Sequence, residues 1–292
     1  MYTDMFGKQR LKINLHTHTT NSDGAKTPKE AAEIYKAKDY DIIAISDHGI
    51  YTESQAVSGL RIIGGTEYNI DVITNDGGVG VFHILMTGGE RAPKIDSPST
   101  VQEIIDGIIE AGGIATLAHP AWSLNTLEQV RDLKGIVATE IYNSVSDAHE
   151  SSRPYSGYFA DTAASRGLFY SLIATDDTHY YDGSDDTKSY VMLEGDISLS
   201  DKEITDRIAR GLFYATQGPE IHIKREGDEA VVYCSPAVRI SFFSSRPWSK
   251  GRCFRGENLT EARTAIKPGE KFIRAEITDR DGKLAWSNYL VL

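Results

Sequence analysis

The pattern of hydrophobic and polar positions changes character near residue 220. Before it, short apolar runs alternate with amphipathic stretches; after it, apolar and polar residues alternate between turn residues. Seven apolar runs stand out: Leu11–His18, Asp41–His48, Arg61–Glu67, Gly80–Leu85, Gly113–Pro120, Gly135–Glu140 and Leu168–His179. Their length and their Ile, Val and Leu content predict buried strands. Helices are predicted between most of them. Thr27-Pro28-Lys29-Glu30 is a capping box with Pro at the first helical position, opening a helix to about Lys38. Further helices are predicted from Ser99-Thr100 to about Ala111, near Leu127–Leu133, and over Tyr158–Arg166. Strand alternating with helix predicts an α/β domain with a parallel sheet. Ser200-Asp201-Lys202-Glu203 caps one more helix, and Gly211–Thr216 closes the domain at about residue 220.

Beyond Ile221 the period is two. Ile221–Lys224, Ala230–Tyr233, Arg239–Phe243, Lys271–Thr278 and Trp286–Leu292 are predicted strands, with Asp281-Gly282 as a hairpin turn. Two domains are expected: 1–220, and a small all-β, sandwich-like domain over 221–292.

The polar residues that interrupt the apolar runs carry the chemistry. In a strand, side chains at i and i+2 share a face, so His16 and His18 leave the first strand end together. Asp23 follows in a polar loop. The later runs end in, or contain, Asp47-His48, Glu67, His83, His119, Glu140 and Asp177-Thr-His179. Functional groups of α/β barrels gather at the C-terminal strand ends. An open sheet would spread them along an edge, so a barrel is expected, with seven strands rather than eight. Six of the eight histidines belong to this set; His149 and His222 lie outside it.

Composition narrows the partners. The chain has 292 residues and a formal net charge of −11. That balance argues against binding duplex nucleic acid or a membrane surface. The first ten residues are polar, and no apolar stretch approaches the ~18 residues of a membrane span, so a cytoplasmic protein is expected. Two cysteines, Cys234 and Cys253, do not make a disulfide framework.

Nine candidate metal ligands emerge: His16, His18, Asp23, His48, Glu67, His83, His119, Asp177 and His179. Nitrogen and carboxylate donors without thiolate suit Zn, Mn or Fe. Nine are too many for one ion, so two or three divalent ions sharing a carboxylate are expected. Asp47 either ligates or orients a neighbouring imidazole. Glu140 and Asn143, at the sixth strand end, and Arg153 beyond it are candidate substrate contacts. Tyr51, Tyr68, Tyr142 and Trp122 are candidates for the pocket wall.

In these motifs the sequence resembles the PHP (polymerase and histidinol phosphatase) superfamily. The carriers are His16-Thr-His18, Ser46-Asp47-His48, Gly65-Thr-Glu67, Ala118-His119-Pro120 and Asp177-Thr-His179, in the family's order between Lys12 and Glu220. The resemblance implies a distorted seven-stranded (βα) barrel with a trinuclear centre. It implies one metal on His16, His18, Glu67 and Asp177, a second on Glu67, His83 and His119, and a third on Asp23, His48 and His179, Glu67 bridging the first two. The segment Gly211–Pro219 and the ending Ala285-Trp286-Ser287-Asn288 resemble a branch that includes carbaryl-type ester hydrolases. Asp176 departs from the small residue common before the final Asp-x-His. The implied activity is hydrolysis of a small phosphate ester by a hydroxide bridging the metals, with His48, His179 and Asp47 as candidate catalytic groups. Alternatives are a carboxyl or carbamate ester hydrolase on the same centre, and a non-catalytic metal- or carbohydrate-binding protein. Related amidohydrolases bridge their metals with a modified Lys; no Lys ends a mid-chain strand here, and Glu67 suits that place.

Overall fold

A computed structural model describes residues 2–73, 79–95, 99–149 and 151–292. The first part of the chain runs β1 (Tyr2–Thr3), β2 (Gln9–Asn14), α1 (Pro28–Lys36), β3 (Ile42–Ala44), β4 (Gln55–Val57), β5 (Leu60–Ile63), β6 (Gly65–Ile73) and β7 (Val79–Gly88). It continues through α2 (Val101–Glu110), β8 (Gly113–Leu117), α3 (Leu127–Val130), β9 (Ile136–Asn143), α4 (Val145–Ala148), α5 (Gly157–Ser165) and β10 (Ser171–Thr175). The remainder is β11 (Tyr190–Glu194), α6 (Asp201–Ala209), β12 (Phe213–Thr216), β13 (Ile221–Glu226), β14 (Glu229–Ser244), β15 (Cys253–Ala265), β16 (Phe272–Thr278), β17 (Leu284–Ser287) and β18 (Leu290–Val291). The capping boxes form as predicted at Thr27/Glu30 and Ser200/Glu203; in α2 the cap is Thr100 with Glu103. Among the described residues no helix is long and apolar enough to cross a membrane.

Strand and helix alternate as the sequence predicts, but the strands do not form one continuous parallel barrel. They fall into two sheets: β10-β9-β8-β7-β6, and a larger one ordered β13-β14-β16-β17-β12-β11-β2-β3-β5-β4 with three further strands at its sides. β2, β3 and β5 are parallel, as are β8, β9 and β10. β7 runs antiparallel to both β6 and β8, which corrects the all-parallel expectation. The third apolar run is also broken at Gly64 into β5 and β6. Gly65 starts β6 where the backbone crowds: a Cβ there would lie 2.8 Å from the Met86 carbonyl oxygen and 3.0 Å from that of Ile45.

The two sheets meet along two seams, and the motif residues make both. At one, the Thr17–Thr178 bridge is flanked by His18 N–H to the Thr178 carbonyl (3.0 Å) and Asp177 N–H to the His16 carbonyl (2.9 Å). At the other, His48 and Glu67 form a parallel bridge, and Gly49 N–H reaches the Glu67 carbonyl at 2.8 Å. Between the seams Leu11, Ile13, Ile42 and Ile63 of one sheet pack with Ile141, Leu172 and Ala174 of the other in one buried core. Full burial of each large aliphatic chain contributes roughly 1.5–3 kcal/mol. This core and the two seams fix the mouth.

The tail is β-rich as predicted, but its strands continue the large sheet. β17 pairs with β12, so the ladder crosses residue 220 without interruption. β14 shifts register between Tyr233 and Arg239, pairing with β13 at its start and with β16 at its end. Bulges bend strands in this way, and here Met192 and Tyr214 share a core with Ile240, Ile273 and Ile277.

Candidate metal centre

Three groups of ligand-type side chains converge at the mouth. His16, His18, Glu67 and Asp177 form one; Glu67, His83 and His119 a second; His18, Asp23, His48 and His179 a third. All nine predicted ligands are present, and His18 stands between the first and third groups. Its Nε2 lies 3.1 Å from Asp177 Oδ1, and its Nδ1 lies 3.7 Å from Asp23 Oδ1.

Local structure explains each placement. His16 and His18 leave β2 on one face. Glu67 pairs opposite Leu85, so His83 is its diagonal neighbour on the same face of the hairpin. Gly24 lets the Asp23 loop lie against the first motif: a Cβ there would come within 2.5 Å of the His18 carbonyl group. His119 and Asp177 both have left-handed backbone, φ 23° and 53°. Such conformations are uncommon outside Gly and tend to gather at functional sites.

Glu67 is the hub. Its Oε1 is 2.9 Å from His83 Nδ1 and 3.4 Å from His119 Nε2. Its Oε2 is 3.0 Å from His48 Nδ1, 3.2 Å from His18 Nε2 and 3.4 Å from His16 Nε2. Five imidazoles therefore surround one carboxylate that is 1% exposed. His48 Nδ1 and Asp177 Oδ1 are buried without a hydrogen-bond partner, although donors and acceptors lie about them. Ligand atoms sharing one tetrahedral ion at about 2.0–2.1 Å lie about 3.3 Å apart, which is the spacing seen here. Orphaned atoms at that spacing, with six imidazoles and three carboxylates, fit divalent metal ions.

The charges respond to this crowding. Burial opposes protonation of His16, but Asp177, Glu67 and Glu140 outweigh it and raise its pKa well above the ordinary value. His179 is likewise held up to about 9, Asp23 and Asp177 overcoming burial. Burial alone would raise Glu67 and Asp177, yet His16 and its neighbours hold both well below the usual carboxylate range. His48 is pushed down, chiefly by burial. A histidine with a raised folded pKa stabilises the fold fully below its unfolded value near 6.5, and loses that contribution as pH rises through the folded value. Chelator-treated protein is thus expected to melt at lower temperature at pH 9.5 than at pH 6.5. Metal affinity should strengthen over the same interval, because binding must expel these protons. Calorimetric scans with and without Zn check both; a melting temperature of the chelated protein that stays level or climbs over that interval contradicts the charge assignment.

The structure redraws the predicted supporting residues. Glu140 is fully buried, and four donors reach it: His16 Nδ1 (2.8 Å), Thr175 Oγ1 (2.7 Å), His119 N–H (2.9 Å) and Asn143 Nδ2 (2.8 Å). It sits behind the ligands and has no lone pair facing a substrate. Asn143 is buried too, donating to Glu140 and, at 3.0 Å, to Asp177 Oδ2. Asp47 accepts from Thr19 N–H, Thr19 Oγ1 and Ser22 Oγ at 2.7–2.8 Å, fixing the loop to Asp23 from beneath; it does not reach the cavity and is not placed to act in catalysis. Arg153 is exposed and lies outside the cavity wall. His48 and His179 do line the cavity, which measures about 350 Å³, and so does Trp122. Tyr142 instead stacks on Trp286 at 5.3 Å, while Tyr51 and Tyr68 pack on a core beside β7. Ala25, Val145, Ser146 and Tyr180 complete the wall and were not singled out from sequence. Tyr180 directly follows the Asp-x-His motif, the one signal that pointed to it.

The two histidines outside the motifs stay outside the centre. His222 gathers with Asp4 and Glu220, but there every carboxylate oxygen already accepts a hydrogen bond. Arg10 donates to Asp4 at 2.8 Å, so the cation of that group is in place and the cluster ties the N-terminal segment down. Cys234 and Cys253 are both free.

No family model matches the sequence. An uncharacterized protein of Methanocaldococcus jannaschii is 29% identical over 128 residues, which cover 38% of this chain and 68% of that one. Among solved structures, an amidohydrolase of Chromobacterium violaceum, determined with bound sulfate and no metal, aligns at 15% identity over 59% of this chain and 89% of its own, TM-score 0.43. A two-domain protein of Bacteroides vulgatus aligns along its length: 15% identity, 99% of this chain, 98% of that chain, TM-score 0.53. That protein is described as containing a predicted PHP-like metal-dependent phosphoesterase. From end to end, therefore, this chain has the fold of a two-domain protein built on a PHP-like domain, as its histidine and carboxylate motifs suggested.

Proposed function

We propose that the protein is a PHP-superfamily, metal-dependent hydrolase of small phosphate esters, loaded with two or three divalent ions. The observation that carries this is the meeting of three ligand groups, two of them sharing Glu67 and the third joined through His18, at the floor of an open cavity. His16, His18, Glu67 and Asp177 would hold one ion, Glu67, His83 and His119 another, and Asp23, His48 and His179 a third. Bound there, the ions would supply an acidified water and neutralise charge on phosphoryl oxygens. The chain's own part is to fix the ligands. Glu140 accepts from His16 Nδ1, which directs Nε2 at Glu67 and Asp177, where an ion would displace its proton. Asn143 orients Asp177, and Asp47 anchors the loop that carries Asp23.

Three divalent ions balanced by three carboxylate ligands keep a positive site, which favours an anionic substrate and its more charged transition state. The acidic chain disfavours long polyanions outside the mouth. A carboxyl or carbamate ester hydrolase is the second reading, favoured by a wall that carries no lysine or arginine. The experiment compares kcat/KM for p-nitrophenyl phosphate and its phosphodiesters with p-nitrophenyl acetate, on metal-loaded protein and on His119→Ala. Phosphate turnover that exceeds acetate turnover and collapses in His119→Ala is expected. Metal-dependent acetate turnover above every phosphate rate would transfer the assignment to the second reading.

A further inference from the structure

Beyond the ligands, the cavity wall consists of Ala25, Trp122, Val145, Ser146 and Tyr180. No cationic side chain belongs to it, and the residues outside the described ones contain no lysine or arginine either. Arg153 is tied to this wall only through its backbone, its N–H reaching the Ser146 carbonyl at 3.2 Å. Behind the wall, Asp182 lies 3.2 Å from the His149 ring. That ring stacks on Tyr180 with centroids 3.9 Å apart and planes at 28°. His149 is itself held by Ser184 Oγ at 2.6 Å. Trp122 presents its indole beside the floor, packed edge-on against His83 and His119 at 5.4 and 5.0 Å.

From this wall we infer that the site selects phosphate esters whose organic part is uncharged and flat, an aryl ester being the type case. Trp122 and Tyr180 hold that part, and His149 is the positioning residue for the Tyr180 ring. The inference rests on the phosphate-ester reading above. A second anionic group on the substrate would leave water without a lysine or arginine of the wall to receive it, which costs binding energy. A flat apolar group gains contact with two aromatic faces whose own partners keep them in place. The cavity, about 350 Å³, admits one ring besides the phosphoryl group.

The test is calorimetric titration of Zn-loaded, full-length protein with methylphosphonate, phenylphosphonate and 2-carboxyethylphosphonate. Phenylphosphonate is expected to bind about tenfold tighter than methylphosphonate, and the carboxyethyl compound no tighter than methyl. The phenyl-to-methyl ratio is read within each variant, so a change in metal occupancy cancels. It should fall toward one in Tyr180→Ala, Trp122→Leu and His149→Ala. A carboxyethyl compound as tight as phenyl, or none of the three binding, overturns the inference. A ratio that survives Tyr180→Ala and Trp122→Leu also overturns it. A ratio that falls in those two and survives His149→Ala overturns the positioning role. Failure of the phosphate-ester reading shows separately, as want of turnover of any phosphate ester whichever phosphonate binds best.

Discussion

Glu67→Gln is expected to lose at least two of the bound ions and to lower kcat/KM about 1,000-fold or more. The change is isosteric at a position 1% exposed, so packing is kept while the chemistry of the hub is removed. Glu67 Oε1 faces His83 and His119, and Oε2 faces His48, His18 and His16. Gln replaces one of these oxygens with an amide nitrogen, which carries two hydrogens and no lone pair, directed at a position meant for a cation. It also removes the negative charge that two ions would share. Losing that stabilisation is worth several kcal/mol, and each 1.36 kcal/mol is tenfold in rate. His83→Ala removes a single ligand from one group, so it should lose one ion and retain more activity. Elemental analysis with kinetics on both variants decides the matter. Equal metal content and equal activity in the two would show that Glu67 does not bridge.

The gathering of nine candidate ligands at one mouth was legible because their signal is local. A histidine pair at i and i+2, or a carboxylate closing an apolar run, says which way side chains point without reference to the rest of the fold. Strand direction was not legible at β7. An apolar strand reads the same in either direction, and His83 sits inside its run, so nothing in the residues says that the chain has turned back from β6. The continuity of the tail with the main sheet was hidden for a related reason. It depends on Trp286 pairing with Ala215, a register set by contacts far apart in sequence. Turn residues at Gly218-Pro219 suggested a boundary where the chain turns and the sheet goes on. Residues behind the ligands were the hardest to read. Glu140 and Asp47 end apolar runs just as the ligands do, and only the count of donors reaching each oxygen separates a supporting carboxylate from one that meets a metal or a substrate.

That distinction makes Glu140→Gln the second decisive variant. Glu140 accepts on both oxygens, from His16 Nδ1 and Thr175 Oγ1 on one and from His119 N–H and Asn143 Nδ2 on the other. Whichever way the new amide turns, its hydrogens meet donors, either at His16 or at His119. His16 then loses the acceptor that fixes its tautomer, or His119 loses the contact that holds its left-handed backbone, φ 23°. Both histidines belong to groups that share Glu67, so the ring orientations of two sites loosen together. Loss of such a supporting carboxylate lowers metal affinity by about 10–100-fold. The ligand atoms themselves remain, so excess metal should restore most of the activity of Glu140→Gln, whereas no concentration should restore Glu67→Gln. Metal titrations followed by activity, run side by side on the two variants, separate the roles. Were Glu140→Gln to keep its metal affinity and instead show a raised KM, Glu140 would be a substrate contact after all, and its burial behind His16 would not describe the working state.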